Sequence, residues 1–459
     1  MGQSKHILIV GGGASGVLSA VHLLRQATGP LNVTLVERTA ELGAGIAYGT
    51  GHPDHLLNVR AANMSAFPDD PGHFWRWIAA RGEETARLCP DAHGFAPRRL
   101  YKDYLAELLR ASQDGTGKVR LDVVRGEAVR MTPHRASVEL TLADGTSRVA
   151  HHAILATGNE GPALAPAPWR FDGWSDAGIA ALPREAAIVI VGTGLTMADR
   201  VLALLHAGHR GPITAISRRG LVPHAHRIVE PYQLDAADIP FGTHIGYLTA
   251  WLRRLVREAE RQGRDWRSLI DGLRPHTQAL WQALAPEARR RFLRHIRPFW
   301  DIHRHRMAPQ AGERIAAARA SGQLRVLAGR VLDYGPSGAG VTITYRPRPG
   351  GATAQLQADV VFECRGRASE VTATDNPLLR QLFADGLARP DTLGLGLDAT
   401  LDGALIDRDG RPSPRLFAVG PITSGVFWEI VAVPDIRRQV ADLARHLLRE
   451  ERASGVAGG

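Results

Sequence analysis

The sequence predicts an α/β protein with two Rossmann-like dinucleotide-binding domains, because an apolar strand, a glycine-rich turn and a helix follow one another twice. The first series begins at Lys5 and the second at Ala186. Between residues 244 and 319 the apolar residues recur instead at helical spacing. We therefore expect a first domain built from residues 1–184 and 366–459. A second domain, residues 185–365, is inserted into it and contains the helical segment.

The elements of the two series are assigned in chain order from their apolar patterns. In the first series they are Lys5–Val10 as a strand, Ala14–Gln26 as a helix and Asn32–Glu37 as a strand. In the second series they are Ala186–Val191, Leu195–His206 and Ile213–Ser217. Proline disfavours helix interiors, so several helices are expected between residues 244 and 319, divided near Pro275, Pro286 and Pro298.

Composition narrows the class of protein. The 459 residues carry a formal net charge of +10, almost wholly from arginine, and this favours a small acidic substrate. No zinc-finger, RNP-like or basic-zipper pattern indicates nucleic-acid binding, and no apolar run approaches the ~20 residues of a membrane span. No secretory signal is recognised, so we expect a cytoplasmic protein. The two cysteines, Cys89 and Cys364, form no Cys-x-x-Cys pair, which argues against a redox dithiol.

The first glycine turn fits G-x-G-x-x-G between a strand and a helix, and Glu37 ends the next strand. Gly11 permits the tight turn, Gly13 lets a pyrophosphate approach the backbone, and Gly16 lets helix and strand pack closely. The helix N-terminus attracts phosphate, and Glu37 would accept a hydrogen bond from a ribose. The binding residues predicted here are Gly11, Gly13, Ala14, Ser15, Gly16, Glu37 and Arg38.

The turn alone does not distinguish FAD from NAD as its ligand. Position in the chain favours FAD, since flavoproteins with two dinucleotide sites bind FAD at the first. Two further glycine segments at strand ends agree with this arrangement, and they supply Thr157, Gly158 and Gly420 as candidates. An acidic residue is common after the last glycine, and here the residue is Pro421.

The second glycine turn departs from the pattern, because Met197 stands where the third glycine is expected. The first two glycines, which meet the phosphates, are present. The next strand ends in Ser217, Arg218 and Arg219 rather than in an acid. An arginine there can pair with the 2′-phosphate of NADPH, although surface arginines without a ligand are the alternative. The NADPH or NADH candidates are Gly192, Thr193, Gly194, Leu195, Thr196, Arg218 and Arg219.

Five segments together resemble one family: residues 43–49 (GAGIAYG), 55–59 (HLLNV), 64–68 (MSAFP), 192–197 (GTGLTM) and 427–430 (FWEI). It is the FAD/NAD(P)-binding flavoprotein monooxygenase family that includes FAD-dependent urate hydroxylases and nitrosuccinate-forming aspartate N-hydroxylases. The resemblance covers nearly the whole chain. It implies that Asn58, Val59 and Met64 line the flavin and that Arg99 approaches the FAD phosphates. A turn-capping Asn58 and a core Met64 are the alternatives.

Residues 297–307 alternate aromatic and cationic side chains. Arg304 and Arg306 would hold oxyanions there, and Trp300 would stack on a ring; a solvated helix with one buried aromatic is the alternative. Glu429 is a candidate substrate or proton contact, unless it caps a helix or forms a salt bridge. No metal site is predicted, because the alternating His303 and His305 do not share a helix face.

The expected reaction is hydroxylation of a small anionic substrate by dioxygen. NADPH or NADH reduces FAD, dioxygen adds at the flavin C4a, and the hydroperoxide transfers hydroxyl. Urate is the leading substrate, because the chain is closer in length to the urate hydroxylase branch of the family it resembles. The alternatives are an amino-acid N-hydroxylase, an FAD/NAD(P)H oxidoreductase without oxygen insertion, and a non-catalytic dinucleotide-binding protein. The sequence predicts no oligomeric state.

Overall fold

The computed structural model describes residues 4–112, 117–158, 165–174, 178–338, 340–366 and 370–454. The chain divides into two compact units. Unit 1 is drawn from residues 1–51, 59–163 and 367–459, and unit 2 from residues 52–58 and 164–366.

The strands and helices are numbered in chain order. The strands are β1 (Lys5–Val10), β2 (Leu31–Glu37), β3 (Val119–Arg125), β4 (Ala128–Pro133), β5 (Val138–Leu142), β6 (Ser147–Ala150), β7 (His152–Leu155), β8 (Arg170–Asp172), β9 (Ile188–Val191), β10 (Ile213–Ser217), β11 (Leu324–Ser337), β12 (Gly340–Pro347), β13 (Ala354–Ala358), β14 (Val360–Glu363), β15 (Ala404–Ile406) and β16 (Pro412–Ala418). The helices are α1 (Ala14–Gln26), α2 (Gly45–Tyr48), α3 (His73–Ala79), α4 (Glu83–Leu88), α5 (Arg98–Ala111), α6 (Leu195–His206), α7 (Ile245–Arg261), α8 (Trp266–Leu273), α9 (Thr277–Ala283), α10 (Pro286–Arg291), α11 (Arg297–Arg304), α12 (Pro309–Ala320), α13 (Pro377–Ala384) and α14 (Val433–Ser454).

Within the described part of unit 1, six strands form the main sheet in the order β15-β16-β7-β1-β2-β3. All neighbours are parallel except β15 and β16. Strand β7 is buried throughout and β1 nearly so, as expected of a parallel strand with both faces covered. The parallel register brings the carboxyl ends of β1, β2, β7 and β16 to one edge. Ligands of open α/β sheets bind at such an edge.

Unit 2 has a sheet in the order β13-β12-β11-β10-β9-β14-β8 among the residues that the structure describes. The predicted domain boundary after residue 184 stays a prediction, while the compact unit found in the structure takes in earlier residues as well. Strand β8 already pairs in this sheet, parallel to β14, and residues 164–184 therefore belong to unit 2. A strand of three residues has too little apolar pattern to be recognised in the sequence.

The predicted helical segment consists of α7 to α12, which span residues 245 to 320. Its prolines lie at helix ends, as expected: Pro286 and Pro298 stand in the first turns of α10 and α11. Helix α8 starts after Asp265, whose side chain accepts a 2.9 Å hydrogen bond from the Arg267 N–H. The α/β class, the two Rossmann-like units and the helices are thus confirmed. In the described ranges, no helix is long and apolar enough to cross a membrane.

Candidate functional site

The first glycine turn connects β1 to α1, and the chain itself requires two of its glycines. Gly11 has a φ of +104°, and a Cβ there would come within 2.5 Å of the Ala156 carbonyl oxygen at the end of β7. A Cβ at Gly16 would come within 1.8 Å of the Gly11 oxygen. Both residues therefore hold α1 against the sheet edge.

Gly13 is different, because nothing in the protein excludes a side chain there. Its φ is −69°, and the nearest atom to a Cβ would be the Gly45 Cα at 3.6 Å, an ordinary contact. The residues after it, Ala14, Ser15 and Gly16, carry the first N–H groups of α1, which have no carbonyl acceptor within the helix. The open backbone at Gly13 and these N–H groups fit a pyrophosphate.

Glu37 ends β2 beside this turn. Its Oε2 accepts a 2.6 Å hydrogen bond from the Gly12 N–H, and its Oε1 accepts from the Thr39 N–H and hydroxyl at 2.8 and 2.9 Å. These bonds hold the carboxylate at the edge of the turn, the position predicted for a ribose contact. Arg38 follows with an exposed side chain.

Two later segments of unit 1 meet the same turn. A Cβ at Gly420, whose φ is +75°, would come within 2.3 Å of the Ser15 hydroxyl oxygen. Gly420 also donates its N–H to Gln439 Oε1 at 2.7 Å. At the end of β7, the Thr157 hydroxyl is buried and finds no hydrogen-bond partner within the described residues, while Gly158 has a φ of +79°. A buried hydroxyl of this kind beside the glycine turn fits a bound polar group.

The remaining flavin candidates are divided between the two units. Asn58 belongs to unit 2, where its carbonyl oxygen lies 3.1 Å from His226 Nε2. In unit 1, Val59 is half-buried, and Met64 is 1% exposed, which is the core position that the alternative interpretation expects. Arg99 is exposed in the first turn of α5. Their contact with flavin remains a prediction.

The second glycine turn, between β9 and α6, repeats the construction of the first. Gly192 has a φ of +122°, and a Cβ there would come within 2.2 Å of the Cys364 carbonyl oxygen after β14. A Cβ at Gly194 would meet nothing within 4 Å. Met197 is fully buried in the core of unit 2, so the helix accommodates a side chain at the position of the third glycine.

Polar contacts join this turn to the end of β10. The Thr193 hydroxyl bonds to the Leu221 carbonyl and lies 2.8 Å from the Ser217 hydroxyl. Leu195 and Thr196, the other predicted contacts, are half-buried in the first turn of α6.

Arginines surround the end of β10. Burial, together with the nearby charges of Arg348 and Arg218, lowers the pKa of Arg219. Arg218 and Arg348 are exposed, and the Arg219 guanidinium lies 4.9 Å from the centre of the Phe299 ring. Sequence reasoning missed Arg348, since nothing in its neighbourhood indicates that β12 returns to this point. Like charges held together in this way suit a phosphate.

The predicted substrate residues Trp300 and Arg304, in α11, and Arg306, just after it, differ from one another in their surroundings. Trp300 packs on an apolar cluster of Ile239, Trp251 and Leu273. Arg304 is 8% exposed and Arg306 is 2% exposed. These side chains do not form the exposed face that a solvated helix would present, and their contact with a substrate remains a prediction.

Arg306 is the more unusual of the two buried arginines. Its Nη2 pairs with Asp271, while Nε and Nη1 are buried and have no hydrogen-bond partner in the part of the chain that is described. Burial lowers the pKa of this guanidinium, and Asp271 acts in the opposite direction. Nearby, the rings of Trp266, His224 and His303 lie 4.6 to 5.1 Å apart. No pattern in the sequence predicts this grouping.

Glu429 has a φ of 62°, and among the described residues it is the only non-glycine with positive φ. Its side chain is 7% exposed. A residue held in this conformation costs about 1–3 kcal/mol, and such residues concentrate at functional sites. The structure therefore singles out a residue that the sequence had selected for other reasons, although its role remains a prediction.

The two thiols do not suit disulfide exchange. Cys89 and Cys364 are both buried and free. Burial raises the pKa of Cys89 to about 11 and also raises the pKa of Cys364. Disulfide exchange needs an accessible thiolate, which neither residue supplies.

Comparison with known proteins agrees with this geometry. Residues 8–160 match a protein-family model described as FAD-NAD(P)-binding. Residues 8–160 therefore form an FAD/NAD(P)-binding domain. This cofactor pair serves oxidation and reduction, and the chain is accordingly an oxidoreductase. No curated protein sequence matches it.

Three solved structures similar to this chain are amino-acid hydroxylases. An ornithine hydroxylase from Pseudomonas aeruginosa, in its reduced form, has 16% identity and a TM-score of 0.67. An ornithine N-hydroxylase from Kutzneria with reduced FAD, NADP⁺ and L-ornithine has 15% identity and a TM-score of 0.65. An L-lysine 6-monooxygenase from Pseudomonas syringae has 15% identity and a TM-score of 0.63. Each match covers 98% of this chain and 100% of the other, so the fold is shared along its full length.

Proposed function

We propose that the protein is an FAD-dependent, NADPH-consuming monooxygenase that hydroxylates an amine nitrogen of an amino acid. The observation that carries the proposal is the pair of equivalent glycine turns. In each, a Cβ on the first glycine, Gly11 or Gly192, would overlap a carbonyl oxygen of the protein, whereas the second glycine of the G-x-G motif, Gly13 or Gly194, is left open for a ligand. Two dinucleotide sites are what a flavin enzyme reduced by a nicotinamide needs.

The choice of an amine nitrogen is supported by the similar structures, which are hydroxylases of ornithine and lysine. Urate, favoured by chain length, has no support in these comparisons. Reduction of a disulfide by the same cofactors is disfavoured, because Cys89 and Cys364 are buried and their pKa values are raised.

In this proposal the residues of unit 1 position FAD. The first N–H groups of α1, from Ala14 to Gly16, donate to its pyrophosphate, and Glu37 accepts from its ribose. The Thr157 hydroxyl donates to the bound group. FAD supplies the oxygen chemistry once it is reduced. At the second turn, the backbone at Gly194 approaches the NADPH phosphates, and Arg218, Arg219 and Arg348 hold the 2′-phosphate.

An amine attacks an electrophilic oxygen only after its ammonium form has lost a proton. Glu429 is our candidate acceptor for that proton, since it is a buried carboxylate in a strained backbone. Arg304 and Arg306 are the candidates for holding the substrate carboxylate, and Trp300 for contacting its side chain.

The test follows NADPH, oxygen and product together in the purified FAD-loaded protein. Ornithine, lysine, aspartate and urate are each added in air, and the N-hydroxylated product is measured by mass spectrometry. We expect one amino acid to accelerate NADPH oxidation with matching oxygen uptake and product. Acceleration by urate with loss of urate would replace the proposed substrate class. Turnover with an artificial acceptor under nitrogen, without any oxygenated product in air, would refute the monooxygenase.

A further inference from the structure

A group of metal-ligating side chains lies in unit 2, away from the second glycine turn in sequence. His52, Asp54 and His206 each offer one ligand atom, and these atoms lie within 4.8 Å of one another. We propose that they bind a Zn²⁺ ion. The inference does not depend on the proposed reaction. The sequence analysis considered only histidines of the helical segment, and it missed this group, in which His206 follows Asp54 by 152 residues.

The local fold orients the two imidazoles. His55 is 1% exposed, and its Nε2 lies 3.1 Å from the Asp199 carbonyl of α6. This fixes residues 52–58 against the helix whose last turn carries His206. The His52 ring stacks on His55 at 4.6 Å and meets His206 edge-on at 4.8 Å. Both rings are thus held by packing before any ion binds, which reduces the entropy lost on binding.

The donor set selects the ion. Two imidazoles and one carboxylate, with a position left for water, are typical ligands of Zn²⁺ at about 2.0–2.1 Å. Tetrahedral geometry then puts ligand atoms roughly 3.3 Å apart. His206 Nδ1 and Asp54 Oδ2 are 3.0 Å apart, close to that spacing. Zn²⁺ would therefore replace the hydrogen between these atoms, and His52 would move slightly inward.

Competing interactions limit the affinity. Arg314 Nη1 lies 2.6 Å from Asp54 Oδ2 and places a like charge beside the ion. His52 Nδ1 accepts a long 3.2 Å hydrogen bond from the Asp54 N–H. If the ion binds His52 Nε2, the neutral imidazole carries its proton on Nδ1, and this hydrogen bond is lost. Arg314 is 38% exposed and is free to swing into solvent.

Bound Zn²⁺ would tie residues 52–58 to the end of α6. The segment begins after Gly51 and ends before Val59, both residues of unit 1. The ion would therefore hold in place residues 52–58, the first segment of the chain that belongs to unit 2.

The experiment titrates chelator-treated, FAD-loaded full-length protein with Zn²⁺ alone and measures heat and stoichiometry by calorimetry. We expect one saturable site per chain. His206→Gln and Asp54→Asn should each weaken it at least tenfold, whereas His134→Gln, at an exposed histidine of unit 1, should leave it unchanged. Arg314→Leu should strengthen binding several-fold, because it removes the competing cation.

Hydrogen exchange of the unmodified protein provides a readout that needs no variant. Zn²⁺ should slow exchange in residues 52–58 and in the last turn of α6, with little change in unit 1. Stoichiometric binding that is indifferent to His206→Gln would place the ion elsewhere and overturn the site. Absence of saturable Zn²⁺ binding, or binding to Arg314→Leu that is no tighter than binding to the parent protein, would do the same.

Discussion

Gly420 lies directly against Ser15, so closely that a Cβ on the glycine would come within 2.3 Å of the serine hydroxyl oxygen. The contact joins the loop after β16 to the first turn of α1. Because Gly420 also has a φ of +75°, its conformation and its neighbour both exclude a side chain.

We therefore expect Gly420→Ala to lower the free energy of unfolding by more than the left-handed backbone alone costs, about 1–2 kcal/mol. Gly158→Ala is the matched control, since its φ is +79° and its Cβ would meet nothing within 4 Å. Urea unfolding of the FAD-free proteins measures the difference. Equal losses for the two variants would show that the Ser15 contact carries no weight.

Substitutions in the first glycine turn should separate effects on the free energy of unfolding from effects on FAD binding. Gly13→Ala should change the free energy of unfolding by no more than about 1 kcal/mol, because only an N-cap preference is altered. Its FAD content should fall sharply, since the methyl group occupies the approach of the pyrophosphate. Gly16→Ala should cost at least about 2 kcal/mol, because its Cβ would overlap the Gly11 oxygen at 1.8 Å. Full flavin occupancy in Gly13→Ala would refute the assignment of this turn.

Arg348 should contribute to the preference for NADPH over NADH. Replacing it by alanine should raise the KM for NADPH about tenfold through loss of one charge-assisted contact, and leave the KM for NADH unchanged. Steady-state flavin reduction with each nucleotide provides the measurement. Arg346→Ala is the control, an exposed arginine two residues earlier in the chain. An equal effect on both nucleotides would remove Arg348 from the 2′-phosphate site.

His152 should make the protein less stable in acid. Burial lowers its pKa from 6.5 to about 4, and the nearby Lys5 and Arg415 act in the same direction. The unfolded chain then binds the proton more readily between these values, so the stabilisation is complete above pH 6.5 and is lost as the pH falls toward 4. At pH 4.5 the loss is about 2–3 kcal/mol.

The variant His152→Phe isolates this contribution from the other buried histidines. Its free energy of unfolding should fall less than that of the parent protein between pH 7 and 4.5, by that same amount. Urea titrations at the two pH values give the comparison, and identical slopes for the two proteins would disprove the assignment to His152.

The glycine turns could be predicted from the sequence because everything that defines them is local. A strand, a turn and a helix occupy about thirty consecutive residues, and the apolar pattern marks each of them. Gly11 and Gly192 each contact a carbonyl from a distant strand, yet the need for glycine is already encoded in the turn. The prolines of the helical segment are equally local signals.

The features that the sequence did not predict depend on long-range packing. Arg348 reaches the end of β10 through the pairing of β12, and Asp54 meets His206 through a segment that no pattern connects to α6. Met64 and Met197 occur in motifs for which cofactor binding is predicted. Only the folded chain shows that their side chains are buried in the core. Propensity and periodicity carry no information about such encounters.

Residues 52–58 belong to unit 2 although the chain on both sides of them belongs to unit 1. His55 and Leu57 are 1% and 3% exposed there. During synthesis these side chains leave the ribosome before α6 has been made. They therefore stay exposed to solvent until the residues that bury them are available. Because unit 1 also includes residues 367–459, neither unit can finish folding while only the N-terminal part of the chain has been made. If either unit is expressed by itself, these seven residues must be included with unit 2, although they interrupt the sequence of unit 1.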